Sequence, residues 1–341
     1  MEAVAPSPRT PQRVGPAALV ALGALALSAS SVLISLAGTD TATTAFWRCT
    51  LALPALAPFL AAEVRRHGRP DARTITAGLL GGAFLGLDFV LWNVSIADVG
   101  AGIATVLVNM QVVFFPFAMR LLGGVRLARR FVLALPVLLA AVALTGGVIG
   151  PEPVGRDPLR GTGLALAAAL GYTGYLYFAR RSTVRAPQYS VAPVFLASTS
   201  AALVAAVTGA ATTGVRVDLD ARAWTALALV ALSGQALGWL LISRGLPRLA
   251  PAASSTLLLL QPVGAEVLAV VVLGEIPTGF QVAGSAIVLA AVWALSRKEA
   301  APAEPGHDRG PDQGSDHGPD QGSDQGSGRE SGPAPRASAV E

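Results

Sequence analysis

An all-α integral membrane fold, ten transmembrane helices arranged as two inverted five-helix repeats, is what this sequence predicts. The first observation behind it is composition: 52% of the 341 residues are hydrophobic and 13% charged, with a mean hydropathy of +0.56. A soluble domain of that balance would not stay in solution. The second is a series of ten apolar runs, each near the ~20 residues that cross a bilayer core as helix. The third is a weak internal match between the fourth and fifth runs and the ninth and tenth.

Residues 1–15 form a polar segment carrying Arg9 and Arg13. The first run, 16–37, is too long for the roughly 7–15 residues of a signal-peptide core, so an uncleaved helix is expected. The next runs are 41–62, 74–97, 100–121 and 130–150, the middle two so close together that they must form a hairpin. After a polar break come 160–179, 189–210, 222–243, 250–273 and 279–297. From 300 to 341 the chain reads GPDQGSDHGPDQGSDQGSG and similar, with eight acids against three arginines after Ala301. Such a segment cannot bury enough apolar surface to fold, and a solvated acidic Gly/Asp/Gln/Ser-rich cytoplasmic tail is expected.

Arginines gather in alternate connections: Arg65, Arg66, Arg69 and Arg73; Arg120, Arg126, Arg129 and Arg130; Arg180, Arg181 and Arg185; Arg244 and Arg248. With Arg9, Arg13, Arg297 and Lys298, 17 positive charges fall on one side, against four on the other (Arg156, Arg160, Arg216, Arg222). The bias predicts a multi-pass cell-membrane protein with both termini cytoplasmic. It also accounts for the pI of 9.8 without nucleic acid. The lone Cys49 excludes an intramolecular disulfide and a cysteine metal cluster, and His67, His307 and His317 are too isolated to suggest a metal site. No cofactor is implied.

Setting Gly100 onward against Ala250 onward pairs Gln111 with Gln261, Gly124 with Gly274, and Leu139–Val142 with Leu289–Val292, nine identities in 45 positions. The chain thus divides into repeats at 16–150 and 160–297. With five helices each, the second copy enters the bilayer from the opposite face. Inverted repeats of this kind place a substrate site near the midplane, where the halves meet.

Three motifs carry a resemblance: FWRCTLALPAL in the second run, LWNVSIADVGAGIATVLVNMQVVF across the third and fourth, and SSTLLLLQPVGAEVLAVVVLGE in the ninth. Together they resemble the EamA-like family of the drug/metabolite transporter superfamily, over nearly all of 16–297. The resemblance implies an exporter or exchanger of small metabolites. It makes Arg48 a family feature, and matches Gly274-Glu275 to the family's loop glutamate. The first copy reads LGGVRLARR there and lacks the acid.

Three ionisable side chains fall inside apolar runs: Arg48, Asp88 and Glu266. Each costs at least ~2.5–3.5 kcal/mol at a helix centre, so each is expected to face the protein interior or a water-filled cavity. At ~1.5 Å per residue they lie roughly 12–15 Å below the outer helix ends, in one layer. An Arg48–Asp88 pair is expected, leaving Glu266 to protonate or to meet a cationic or polar substrate; the alternative is a polar lock between helices. Pro262 shares a face with Ser255 and Glu266, and Pro116 shares one with Thr105 and Asn109, so both helices are loosened beside polar groups.

The candidate substrate-binding residues are Glu266, Asp88, Trp92, Asn109, Gln111, Gln235, Trp239 and Tyr175. Arg48, Pro116, Pro262 and Gln261 are candidates for structure or coupling. Gly81, Gly82, Gly86, Gly171, Gly174 and Gly234 are expected to permit close helix packing. The functional expectation is a secondary transporter, with a small-molecule substrate, the bilayer as its surroundings, and protons or another ion as coupling partner. A homodimer stays open. The alternatives are a channel, a non-transporting receptor or scaffold and, behind them, an intramembrane enzyme. The sequence has no G-x-S-x-G, H-E-x-x-H or P-loop, and no histidine within an apolar run.

Overall fold

The computed structural model describes residues 15–123, 129–149, 156–212, 214–245, 248–249 and 257–299. The N-terminal segment, the 300–341 tail, Gly124, Arg126 and Ser255 lie outside the described residues.

Capping residues set the helix boundaries. Asp40, Asp71, Asp157 and Asp220 each accept the N–H three residues on, at 2.7–3.0 Å, and so start helices. The helices are α1 (Pro16–Ala37), α2 (Thr41–His67), α3 (Ala72–Val99), a broken α4 (Ala101–Val108 and Gln111–Gly123) and α5 (Arg129–Thr145). The second half holds α6 (Pro158–Arg185), α7 (Ala192–Ala210), α8 (Ala221–Leu229, π-helical Val230–Gly238, Trp239–Gly245), α9 (Leu260–Leu268, then π-helical Ala269–Leu273) and α10 (Gly279–Glu299). Among the described residues, six helices are long and apolar enough to cross a membrane: α1, α2, α3, α4, α7 and α8. Shorter apolar helices occupy Val132–Thr145, Leu260–Leu273 and Gly279–Ala294.

Several helices outrun the apolar stretches that announce them. α2 continues from 62 to His67, and α6 from 179 to Arg185. Hydropathy marks the lipid-embedded part of a helix, whereas the good helix formers Glu and Arg carry its backbone further into the headgroup zone. The run expected over 100–121 is one span, interrupted at 109–110, ahead of the Pro116 expected to loosen it. Asn109 Nδ2 donates to the Thr105 carbonyl at 2.7 Å, taking the acceptor its own N–H would have used. The Asn109 N–H turns instead to Val106 O at 3.1 Å.

The packing is duplicated. The principal helix pairs are α1–α8 with α3–α6, α2–α8 with α3–α7, α1–α9 with α4–α6, and the self-paired α2–α7, α4–α9 and α5–α10. Exchanging each helix with the one five places away maps this set onto itself. Two related halves packed about a two-fold axis produce that pattern.

Glycines let the two halves meet closely. A Cβ on Gly82 would come within 2.6 Å of Ala197 Cα, and one on Gly86 within 2.9 Å of Ala201 Cα. On the α1–α8 seam, a Cβ on Gly23 would lie 2.9 Å from the Gly238 carbonyl oxygen. Backbone therefore rests on backbone along α3–α7 and α1–α8, the packing mode expected of small residues in membranes. Exposed Leu22, Leu80, Phe84, Leu133, Leu203 and Val271 form the outer apolar surface.

Candidate transport site

Arg48 projects inward from α2 and is 3% exposed. Its guanidinium carbon stands 3.9 Å above the Phe89 ring and 5.6 Å from that of Trp92, a cation–π seat built by α3. Arg48 Nε donates to Gln235 Oε1 at 3.2 Å, and Gln235 Nε2 donates onward to Ser198 Oγ at 2.9 Å. The relay ties α2 to α8 and α7. The π-helical turn of α8 widens the helix around Gly234 and Gly238 and delivers Gln235, which is fully buried, to this position.

The expected Arg48–Asp88 ion pair does not form: among the described residues no carboxylate lies within 4.0 Å of Arg48, whose Nε partner is the Gln235 amide. The two charges share one small cavity of about 30 Å³ with Ser30, Trp92, Tyr172, Trp239 and Gln261. That volume admits a water or two. Five buried polar atoms on its lining residues have no protein partner: Arg48 Nη1, Asp88 Oδ1, Trp92 Nε1, Trp239 Nε1 and Ser30 Oγ. Buried polar groups are nearly always paired, so this concentration on the walls of one cavity calls for a water, ion or solute to pair with them.

Aromatic rings close its sides. Tyr172 and Tyr175 stack at 6.0 Å, and Trp239 meets them edge-on at 6.2 and 5.5 Å. Tyr175 backs Tyr172. Asn109 spends its amide on the α4 break, and half-buried Gln111 opens the second half of that helix, which also holds Pro116. Pro262 is buried in α9, where Ser28 Oγ of α1 reaches the Leu260 and Gln261 carbonyls at 3.2 and 2.9 Å. The helix loosened by proline is thus held from the other repeat.

Glu266 does not reach the cavity that holds Arg48 and Asp88. It lines a separate pocket of about 190 Å³ with Gly102, Val270, Glu275 and Gln281. The reason is rotational: Gln261, which does reach the central cavity, is five residues and so about 140° away around the helix. Ser285 of α10 faces the Glu266 carboxylate.

Two carboxylates clamp helix starts across the halves. Glu275, after the left-handed Gly274, accepts the Ala101 N–H at 2.8 Å and the Gly102 N–H at 3.3 Å, capping α4. A side chain at Gly100 (φ +92°) would collide with it. Glu63 of α2 accepts the N–H groups of Ser190, Val191 and Ala192 at 2.6–3.2 Å, capping α7. Both place a negative charge on the positive end of a helix. Sequence reasoning passed over Glu63, which sits among the arginines ending α2, and also Phe89, Ser198 and Ser30. The run Glu63-Val64-Arg65-Arg66 reads as solvated surface, and only the fold brings Ser190 to it.

A sequence model of the EamA-like transporter family matches residues 15–147 and again 159–297. The chain belongs to the EamA-like transporter family. Its two matched segments are the two related halves, and membership makes it a multi-pass membrane transporter of the drug/metabolite type, with a small-molecule substrate carried across a lipid bilayer. No curated protein matches the chain. Among solved structures, one titled "Crystal structure of protein" superposes with a TM-score of 0.56 at 19% identity, covering 83% of this chain and 98% of that one. At that identity the likeness is one of fold.

Proposed function

We propose that this EamA-like protein is a secondary transporter that exports or exchanges a small polar or amphipathic metabolite, an amino acid or a drug-like amine, by alternating access. In this reading its ten helices all cross the membrane as inverted five-helix repeats, and both termini lie on the arginine-rich, cytoplasmic side. The observation that supports the site is the set of five unpartnered polar atoms around one cavity walled by both repeats. Arg48 offers donors to a carboxylate or other acceptor, Asp88 an acceptor to an ammonium, and the Trp92 and Trp239 indoles add donors on apolar, aromatic walls. A solute bearing both a cationic and an acceptor group satisfies the whole set. At about 30 Å³ the cavity fits an occluded conformation that must expand to take its cargo.

Glu266, outside this cavity, is assigned to proton coupling rather than to cargo contact. The closing experiment is counterflow in proteoliposomes with a panel of amino acids, amines, nucleosides and sugars, alongside thermal-shift binding, which rises with ligand by mass action. Saturable counterflow of an amino acid or amine, lowered at least tenfold by Asp88→Asn and by Arg48→Lys, is expected. Glu266→Gln should retain binding and lose the pH dependence of transport. Non-saturable flux without counterflow would replace the carrier with a channel, and hits confined to sugars would overturn the charge-paired site.

A further inference from the structure

The first turn of α3 and the last turns of α6 come together on the arginine-rich face, where they leave a groove of about 400 Å³ that includes Arg73, Thr76, Leu80, Phe178, Arg181 and Arg185. Arg185 Nε reaches Asp71 Oδ2 at 3.4 Å. Arg73 and Arg181 have no carboxylate within 4.0 Å among the described residues. Hydrogen bonding from Thr74, with the Arg185 charge behind it, holds the Asp71 carboxyl below the usual carboxylate range, so this acid stays ionised at neutral pH. Three guanidinium charges then stand against one carboxylate, and Asp71 offsets only that of Arg185.

Directly along the helices from these cations runs an apolar track. Leu80, Phe84 and Leu87 follow one another at helical spacing on α3 and are 45%, 40% and 46% exposed. Phe84 stacks on Phe178 of α6 at 5.8 Å, with an interplanar angle of 23°. Glycines seat this shelf flush against the helices: a Cβ on Gly81 would lie 3.2 Å from Phe178 Cβ, and one on Gly174 2.6 Å from Phe84 Cγ. The order is amphipathic, a cationic mouth and then a lipid-facing aromatic floor. A soluble anion would use only the mouth.

We propose that this groove binds an anionic phospholipid of the adjoining leaflet, its phosphate between Arg73 and Arg181 and an acyl chain along Leu80, Phe84 and Phe178. The phosphate relieves the repulsion among the arginines, as basic pockets between membrane helices do for acidic lipid headgroups. Because α3 belongs to the first repeat and α6 to the second, the lipid staples the halves together. The inference rests on the membrane assignment alone and is independent of the substrate site.

The test uses the full chain purified in a neutral detergent. Thermal unfolding is followed with added dioleoyl phosphatidylglycerol, dioleoyl phosphatidylcholine or soluble glycerol phosphate, and native mass spectrometry counts retained lipid. Phosphatidylglycerol should raise the midpoint by several degrees and remain bound, whereas the other two should do neither. Arg73→Gln with Arg181→Gln should weaken lipid retention by about thirtyfold, at roughly the membrane-surface contribution of two arginines. Arg65→Gln with Arg69→Gln, on the same face, should leave it unchanged. Equal stabilisation by phosphatidylcholine, equal loss in both double variants, or full stabilisation by glycerol phosphate would each overturn the site, the last in favour of a free-phosphate pocket. If the Arg73/Arg181 double variant does not fold, the Arg181→Gln single variant gives the same mass-spectrometric readout.

Discussion

At Glu63 one carboxylate takes up three consecutive backbone N–H groups that α7 cannot satisfy internally. Glu63→Ala therefore leaves buried donors unmet and should cost about 2–3 kcal/mol, visible as a lowered thermal midpoint in detergent. Glu63→Gln keeps one acceptor oxygen and should lose about half as much. Arg48 makes a different demand. Its flat guanidinium lies over Phe89 while Nε holds Gln235, and a lysine supplies neither the plane nor the fork. Arg48→Lys should thus abolish most transport while preserving surface expression, and Gln235→Leu should produce the milder loss of a misaligned arginine. Activity in Arg48→Lys within twofold of the parent would show that charge alone suffices at this position.

Helices were the most legible level of this chain. Apolar runs located them, and the structure adds their limits: caps at Asp40, Asp71, Asp157 and Asp220, and positive φ at Gly38, Gly68, Gly100 and Gly274. The charged side chains were found too, since Arg48, Asp88 and Glu266 stand out against hydrocarbon. Their partners were not legible, because pairing depends on rotation about helix axes. The π-helical stretches of α8 and α9 and the Asn109 break each shift that rotation by local hydrogen bonding, which apolar periodicity does not register. The seams offer an element-level prediction. Gly86→Leu would drive a side chain into Ala201 and Val204 of α7, and overpacking of this kind should cost about 1–3 kcal/mol or more. A lower thermal midpoint and an aggregated fraction in size-exclusion chromatography are expected, while Gly163→Leu, at a site with nothing within 4 Å, should behave as the parent.

Considered as a whole, the molecule is tied across its halves at both ends. Glu63 joins α2 to α7 near the start of α3, and Glu275 joins the α9–α10 turn to α4 just past its finish, about 40 Å away along that helix. The alternating access proposed above predicts that each opening breaks one clamp. With buried Cys49 replaced by serine and a cysteine introduced at Ser30, an impermeant maleimide should react several-fold faster from the arginine-rich face in Glu63→Ala, and from the opposite face in Glu275→Ala. Acceleration from the same face in both variants would remove the clamps from the gating cycle. Topology can be read with the same reagent: a cysteine at Arg69 should label only from the cytoplasm and one at Thr212 only from outside.

The glycine-lined seams of α3–α7 and α1–α8 carry a consequence for how such a carrier diversifies. Where backbone lies on backbone there is no layer of side chains to repack, so these seams behave as a stiff keel, and deformation is left to α4 and α9 with their prolines, asparagine and π-helical turn. The aromatic walls of the cavity, by contrast, hang from that keel as interchangeable furnishings. Trp239 and Tyr172, which do not seat Arg48, can be traded for other shapes without altering the mechanical frame. If the proposed site carries the cargo, a few changes at the centre suffice for a new one while the frame stays the same.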